Sequence, residues 1–256
     1  MARVLPPVLC YHRIGGPLEL GVTRISRATF ARQMRALALA GWRTLSLDEY
    51  IQTSQAAPRS FLLSFDDGYA SLATEAYPIL ADLGFTATTF LITDYVGKEN
   101  TWDARYTWRR LAHLDWPTIE TWRGRGFDFA SHSATHRRLT WLDDARVADE
   151  LGRSRIAVVG KLGRDAGRAI AYPFGAVDVR VERLARAAGY DVGFGGVRGD
   201  HGSRLHLPRV PVYLWDMGNV PVGLRDDAVG RLGRSVAHLA NRSAVGTAVI
   251  NRLRAP

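Results

Sequence analysis

Two carboxylates stand side by side at Asp66 and Asp67, directly after the apolar run SFLLSF and directly before Gly68. Successive side chains of a strand point to opposite faces, so neighbouring carboxylates serve one site only where the strand ends and the backbone turns, as Gly68 permits. A carboxylate pair so placed suits one metal ligand and one general base, although D-D-G is also an ordinary turn string. His132 and His136 lie four residues apart in SHSATH, after the run FDFAS. That separation lets two imidazoles converge on one cation from a helical turn or a tight loop; the alternative is one capping and one surface histidine. Combined, one carboxylate and two imidazoles make a three-ligand set with positions left for water and substrate, and the other carboxylate is then available as base. A third short run ends in Tyr172, Pro173, Phe174 and Gly175. This turn can aim the Phe174 N–H into the site, where it could stabilise an oxyanion; an ordinary turn is the other reading.

These residues must be held by a scaffold, and the pattern of the chain supplies one. Short β-branched or aromatic runs alternate with longer segments of helical spacing, which is the sign of βα units. A helix is predicted from Ser26, with Phe30, Met34 and Leu37 on one face and Gly41 as its stop. Strands are predicted at residues 43–46, 60–65, 86–92, 127–131, 169–172, 190–194 and 209–213. Helices are predicted at 71–83, from Pro117, at 143–161 and at 178–188, with Val229, Leu232, Val236 and Leu239 marking a last one. Residues 98–113, with Trp102, Tyr106 and Trp108, read as an aromatic-rich insertion that stacks on sugar rings or packs on the barrel. Some seven strands separated by helices imply an α/β fold with a parallel sheet, either closed as a barrel or open and doubly wound, whose chemistry belongs at the carboxyl ends of the strands.

Composition narrows the chemistry further. The 256 residues fit one domain, and 46% apolar with 23% charged is ordinary globular composition. Cys10 is the single cysteine, so a metal cannot rest on a cysteine cluster, and no intramolecular disulfide forms. Thirty-four Lys and Arg against 25 Asp and Glu give a net charge of +9, yet no run of five or six basic residues occurs, so nucleic acid is not expected as partner. No membrane span is expected, and the first residues lack the pattern of a secretory signal, which predicts a cytoplasmic protein.

The D-D-G, H-S-x-x-H and Y-P-F-G elements, in that order and each after a strand, resemble the polysaccharide deacetylases of carbohydrate esterase family 4, the NodB-homology domain. The resemblance covers residues 8–213, including NTWD at Asn100 to Asp103, and leaves 214–256 as a C-terminal helical extension of a single domain, 1–256. It implies a distorted (β/α) barrel of about seven parallel strands. The implied reaction removes an N-acetyl group from an amino sugar or a related small N-acyl substrate, with zinc, or else cobalt, nickel, manganese or iron. On this resemblance Asp66 is the catalytic base, Asp67, His132 and His136 hold the metal, and Phe174 contributes its N–H.

Two departures shape the expectation. The family's base-orienting Arg corresponds here to Ala171, and Arg209 in LPRVPV is the candidate replacement. No L-x-x-H motif follows the last core strand, but Leu9 to His12 form one at the start of the chain. That placement resembles the poly-N-acetylglucosamine deacetylase branch, in which the motif is permuted to the amino terminus. His12 is then the general acid, holding a proton near neutral pH; the other role for it is a core histidine bonded to backbone. Rival readings are a deformylase or cyclic-amide hydrolase on the same scaffold, a catalytically idle carbohydrate-binding protein, and a basic nucleic-acid binder.

Overall fold

The computed structural model describes residues 5–16, 22–53, 55–102, 110–199 and 202–225, together with 227, 228, 230–233, 235, 236 and 238. Ten strands occur among them: β1 (Val8–Tyr11), β2 (Arg13–Ile14), β3 (Arg24–Ile25), β4 (Arg43–Thr44), β5 (Ser60–Phe65), β6 (Thr88–Leu91), β7 (Asp128–Ser131), β8 (Ala169–Ala171), β9 (Val192–Phe194) and β10 (Val210–Pro211). The α-helices are α1 (Arg27–Leu39), α2 (Leu47–Gln52), α3 (Leu72–Glu75), α4 (Tyr77–Asp82), α5 (Trp116–Arg123), α6 (Asp144–Leu162) and α7 (Val179–Ala188).

Seven strands run in the order β10-β1-β5-β6-β7-β8-β9, every neighbouring pair parallel, with β4 beside the start of β5. The segment entering β10 also bonds to β9, through Leu207 N–H to the Gly193 carbonyl at 2.8 Å and Gly195 N–H to the Leu207 carbonyl at 2.8 Å. The sheet therefore curls, bringing its two ends together as the distorted barrel that the resemblance implies. Parallel strands covered on both sides read as continuous apolar runs, and all six residues of β5 are buried.

The helices follow from caps and stripes. Ser26 caps α1 by accepting from Thr29 N–H at 3.1 Å, and Phe30, Met34 and Leu37 are fully buried. Burial of such side chains stabilises by about 1.5–3 kcal/mol each. Asp143 and Asp178 cap α6 and α7 in the same way, and Gly189, left-handed at φ 95°, ends α7.

Residues 71–83 are not one helix: α3 and α4 meet at a break around Ala76. Pro78 is the reason, since it lacks the N–H that a continuous helix needs and crowds the carbonyl one turn back. Helix α2, which the sequence pattern does not predict, carries a full capping box between Ser46 and Glu49. At the far end, residues 228, 230–233, 235, 236 and 238 are helical, with Leu232 and Val236 exposed; Val229 and Leu239, like most of the expected extension at 214–256, lie outside the described residues. No helix among the described residues is long and apolar enough to cross a membrane.

Candidate active site

Five chain segments meet at one end of the sheet. Strand β5 delivers Asp66, whose N–H bonds to the Tyr11 carbonyl at 2.9 Å, and the chain then turns through two left-handed residues, Asp67 (φ 69°) and Gly68 (φ 70°). Strand β7 delivers His132, followed by a tight loop with Ser133 at φ 65° and His136 at φ 62°. Strand β8 leads into the Tyr172–Gly175 turn, where Phe174 is also left-handed at φ 60°. Strand β1 delivers His12. Arg209 differs in preceding its strand, β10, and reaches the site with a long side chain that is buried and lies over the Phe90 ring at 5.5 Å.

Among the described residues, four of the five non-glycine residues with positive φ are therefore Asp67, Ser133, His136 and Phe174. Such backbone persists only where the surroundings fix it, and here the fixing groups are visible. Glu150 on α6 is buried and its carboxylate accepts from Ala134 N–H at 3.0 Å, from Thr135 N–H at 2.9 Å and from the Thr135 hydroxyl. Ser133 Oγ accepts from His136 N–H at 3.1 Å. In the third turn, a side chain at Gly175 would meet the Gly196 backbone at 2.7 Å, so only glycine fits.

Asp67, His132 and His136 converge. Asp67 Oδ1 lies 3.5 Å from Nε2 of each histidine, and all three side chains are buried. Ligand atoms bound tetrahedrally at 2.0–2.1 Å stand about 3.3 Å apart, so both Asp67–histidine contacts have nearly the spacing that a shared divalent cation requires, and all three ligand atoms lie within 4.8 Å of one another. The His132 tautomer fits as well. Its Nδ1–H donates to the Ala171 carbonyl at 2.7 Å, which turns the Nε2 lone pair toward Asp67, as a ligand histidine needs. Burial lowers the pKa of both histidines, so both are neutral and able to ligate.

Asp66 lies beside this triangle, its Oδ2 3.7 Å from His132 Nε2. Arg209 holds it in a two-pronged bond, Nη1 to Oδ1 at 2.6 Å and Nη2 to Oδ2 at 2.8 Å. Burial by itself would raise the Asp66 pKa, but the Arg209 guanidinium, through its charge and its two hydrogen bonds, more than offsets it and holds the carboxyl well below the usual carboxylate range. Arg209, the candidate replacement for the arginine absent at Ala171, thus does hold Asp66, from a distant part of the chain.

His12 departs from expectation in its charge. Burial pushes its pKa down to about 4, against the pull of Asp66, so the resting imidazole is neutral rather than protonated near neutral pH. Its Nδ1 is buried with no hydrogen-bond partner among the described residues. The Phe174 ring packs on His136 with centroids 4.8 Å apart, and Trp102 packs on His136 at 4.0 Å. Trp102 Nε1–H donates to His113 Nε2 at 3.2 Å, so His113, given no role from sequence, braces the insertion against the site. Tyr106 and Trp108 lie outside the described residues. Glu150 was also missed; its signal, a glutamate at a core position of the α6 stripe, is visible only once the helix register is known.

A curled parallel sheet with a carboxylate and two imidazoles at its carboxyl end, and a second, arginine-held carboxylate beside them, defines a class of hydrolase built to activate water. The family model for polysaccharide deacetylase matches residues 53–193, and the chain belongs to that family. YxkH of Bacillus subtilis (strain 168), named for the same family, is 26% identical over 213 residues, covering 80% of this chain and 71% of that one. The poly-beta-1,6-N-acetyl-D-glucosamine N-deacetylase of Staphylococcus aureus (strain N315) is 25% identical over 175 residues, covering 66% of this chain and 60% of its own length. Among solved structures, the Streptococcus pyogenes deacetylase PplD in complex with acetate superposes with a TM-score of 0.73 at 22% identity, over 84% of this chain and 95% of that one, and so shares the fold.

Proposed function

We propose that the protein is a divalent-cation-dependent N-deacetylase acting on an N-acetylated amino-sugar polymer. The observation that carries this reading is the meeting of Asp67 Oδ1 with Nε2 of His132 and of His136, each at 3.5 Å, with an ionised Asp66 at the edge of the group. Asp67, His132 and His136 would hold the cation, zinc first and cobalt, nickel, manganese or iron as alternatives. Once bound, it supplies a Lewis acid that polarises the acyl oxygen and makes a water acidic near neutral pH.

The chain's own residues do the rest. Asp66 takes the proton of the attacking water as its oxygen bonds to the acyl carbon. Arg209 keeps that carboxylate ionised and fixes its plane. The Phe174 backbone N–H donates to the oxyanion as it forms, a contribution of about 3 kcal/mol for a well-placed donor. A carboxyl held as far down as Asp66 is a strong acid once protonated, so it gives the proton on. His12, whose ligand nitrogen lies within 4.8 Å of the carboxylate, receives it and delivers it to the departing nitrogen. The C–N bond breaks, and acetate and a free amine leave. His12 is thus charged only during turnover, in keeping with its neutral resting state.

The Staphylococcus aureus relative is named for poly-beta-1,6-N-acetyl-D-glucosamine, and β-1,6-linked N-acetylglucosamine oligomers are the first substrates to try. With zinc restored, acetate release from such oligomers is expected to exceed formate release from N-formylglucosamine. Formate release without acetate release would contradict the reading.

A further inference from the structure

Next to the Asp67, His132 and His136 triangle lies a second group of three ligand types that the reaction does not require as a set. Cys10, His12 and Asp66 present a thiol sulfur, an imidazole nitrogen and a carboxylate oxygen, all within 4.8 Å of one another. Strand geometry brings them there. Cys10 and His12 are two apart at the end of β1 and share a face, as do Ser64 and Asp66 at the end of β5. The parallel register sets Cys10 against Ser64, which carries His12 to the level of Asp66.

Cys10 is buried and forms no disulfide; its thiol makes a weak contact with the Tyr11 carbonyl at 3.7 Å and also hydrogen-bonds toward the Asp66 carboxylate, so it already faces the proposed partner. The buried Nδ1 of His12 has no hydrogen-bond partner among the described residues, while the residue as a whole is partly exposed and leaves a way in. Sulfur, nitrogen and oxygen ligands around one zinc-like ion stand about 3.3–3.7 Å apart, a spacing that small side-chain rotations reach from here.

We propose that Cys10, His12 and Asp66 form a second divalent-metal site, selective for thiophilic ions, and that filling it inhibits the enzyme. Thiolate ligation favours zinc and cadmium over magnesium, calcium or manganese. Cys10 releases its thiol proton to solvent as the metal–sulfur bond forms. Arg209 already occupies one lone pair on each Asp66 oxygen, so the incoming ion has only the remaining ones and works against a neighbouring positive charge. This site therefore fills after the Asp67 site, in metal excess. Inhibition follows because a carboxylate that ligates a metal no longer accepts a proton from water. That inhibitory half rests on the reading of Asp66 as base; the binding half does not.

The test titrates cadmium into the full chain carrying one equivalent of zinc, following the ultraviolet thiolate-to-cadmium charge-transfer band and acetate release together. The band should saturate at one further ion per chain as acetate release is lost. Cys10→Ser should show no band and keep, in cadmium, the rate it has without it. His12→Ala retains the thiol and should need at least about tenfold more cadmium; it decides the matter by itself if Cys10→Ser fails to fold. Absence of the band in the unaltered protein, or an unchanged titration in His12→Ala, would overturn the site. A saturated band with undiminished acetate release would leave the site standing and overturn both the inhibition and Asp66 as base.

Discussion

Arg209 and Asp66 are 143 positions apart in sequence and form the most closely held ion pair of the site, both side chains buried. Removing one partner of such a pair leaves an unpaired buried charge and costs about 3–5 kcal/mol of stability. Arg209→Met should accordingly destabilise the protein by that order in a urea titration. It should also release Asp66 from its depressed pKa, so that the acid limb of the rate–pH profile moves to higher pH. Arg209→Lys keeps the charge but loses the fork, and should fall between the two. An acid limb unmoved in Arg209→Met would mean that Arg209 does not tune Asp66. The sequence made Arg209 a candidate through the absence of arginine at position 171; it could not show the fork, because the contact depends on how far the sheet curls.

At the scale of elements, the site is a set of strand ends, and the turns after them are held from outside. The histidine loop depends on Glu150, one helix away, which satisfies two backbone N–H groups of that loop. Glu150→Ala strands both, a cost of about 1–3 kcal/mol for each buried group left unpaired. The same change should weaken zinc binding about 10–100-fold by loosening His136, as loss of a supporting shell does. Glu150→Gln keeps an acceptor and should lose less; equal zinc affinity in all three proteins would remove Glu150 from the site's support. The apolar runs and caps made β5, β7, α1, α6 and α7 legible, since those signals are local. The break between α3 and α4 was not read from the sequence: the apolar spacing across 71–83 gives one helix, although Pro78 carries the signal that divides it. The bracing of His136 by Trp102 and His113 was not legible, because it arises where an insertion folds back on the barrel.

Across the whole molecule, buried histidines couple stability to pH. Burial lowers His12 and His113 from 6.5 to about 4, so the unfolded chain binds more protons than the folded one in that interval. Their contribution is therefore complete above about pH 6.5 and is lost as pH falls toward 4, by at most about 3 kcal/mol each. Thermal melts of the chelated protein should show this decline, and a flat melting temperature from pH 7 to pH 4 would contradict it. Zinc at 100 times its dissociation constant should add about 2.7 kcal/mol, raising the melting point by several degrees. The net charge of +9 was legible from composition alone, but not where individual arginines go: Arg180 and Arg168 pair with Asp144 and Asp191 at the surface, whereas Arg209 enters the site.

The central claim is a division of labour between adjacent carboxylates, Asp67 holding the cation and Asp66 moving the proton. It is tested most directly by measuring bound zinc and acetate release on the same samples of Asp66→Asn and Asp67→Asn. Asp66→Asn should retain one zinc per chain while its rate falls about 10²–10⁴-fold, and Asp67→Asn should lose zinc and rate together. An Asp66→Asn protein that keeps most of its rate, or an Asp67→Asn protein that keeps its zinc, would contradict the account.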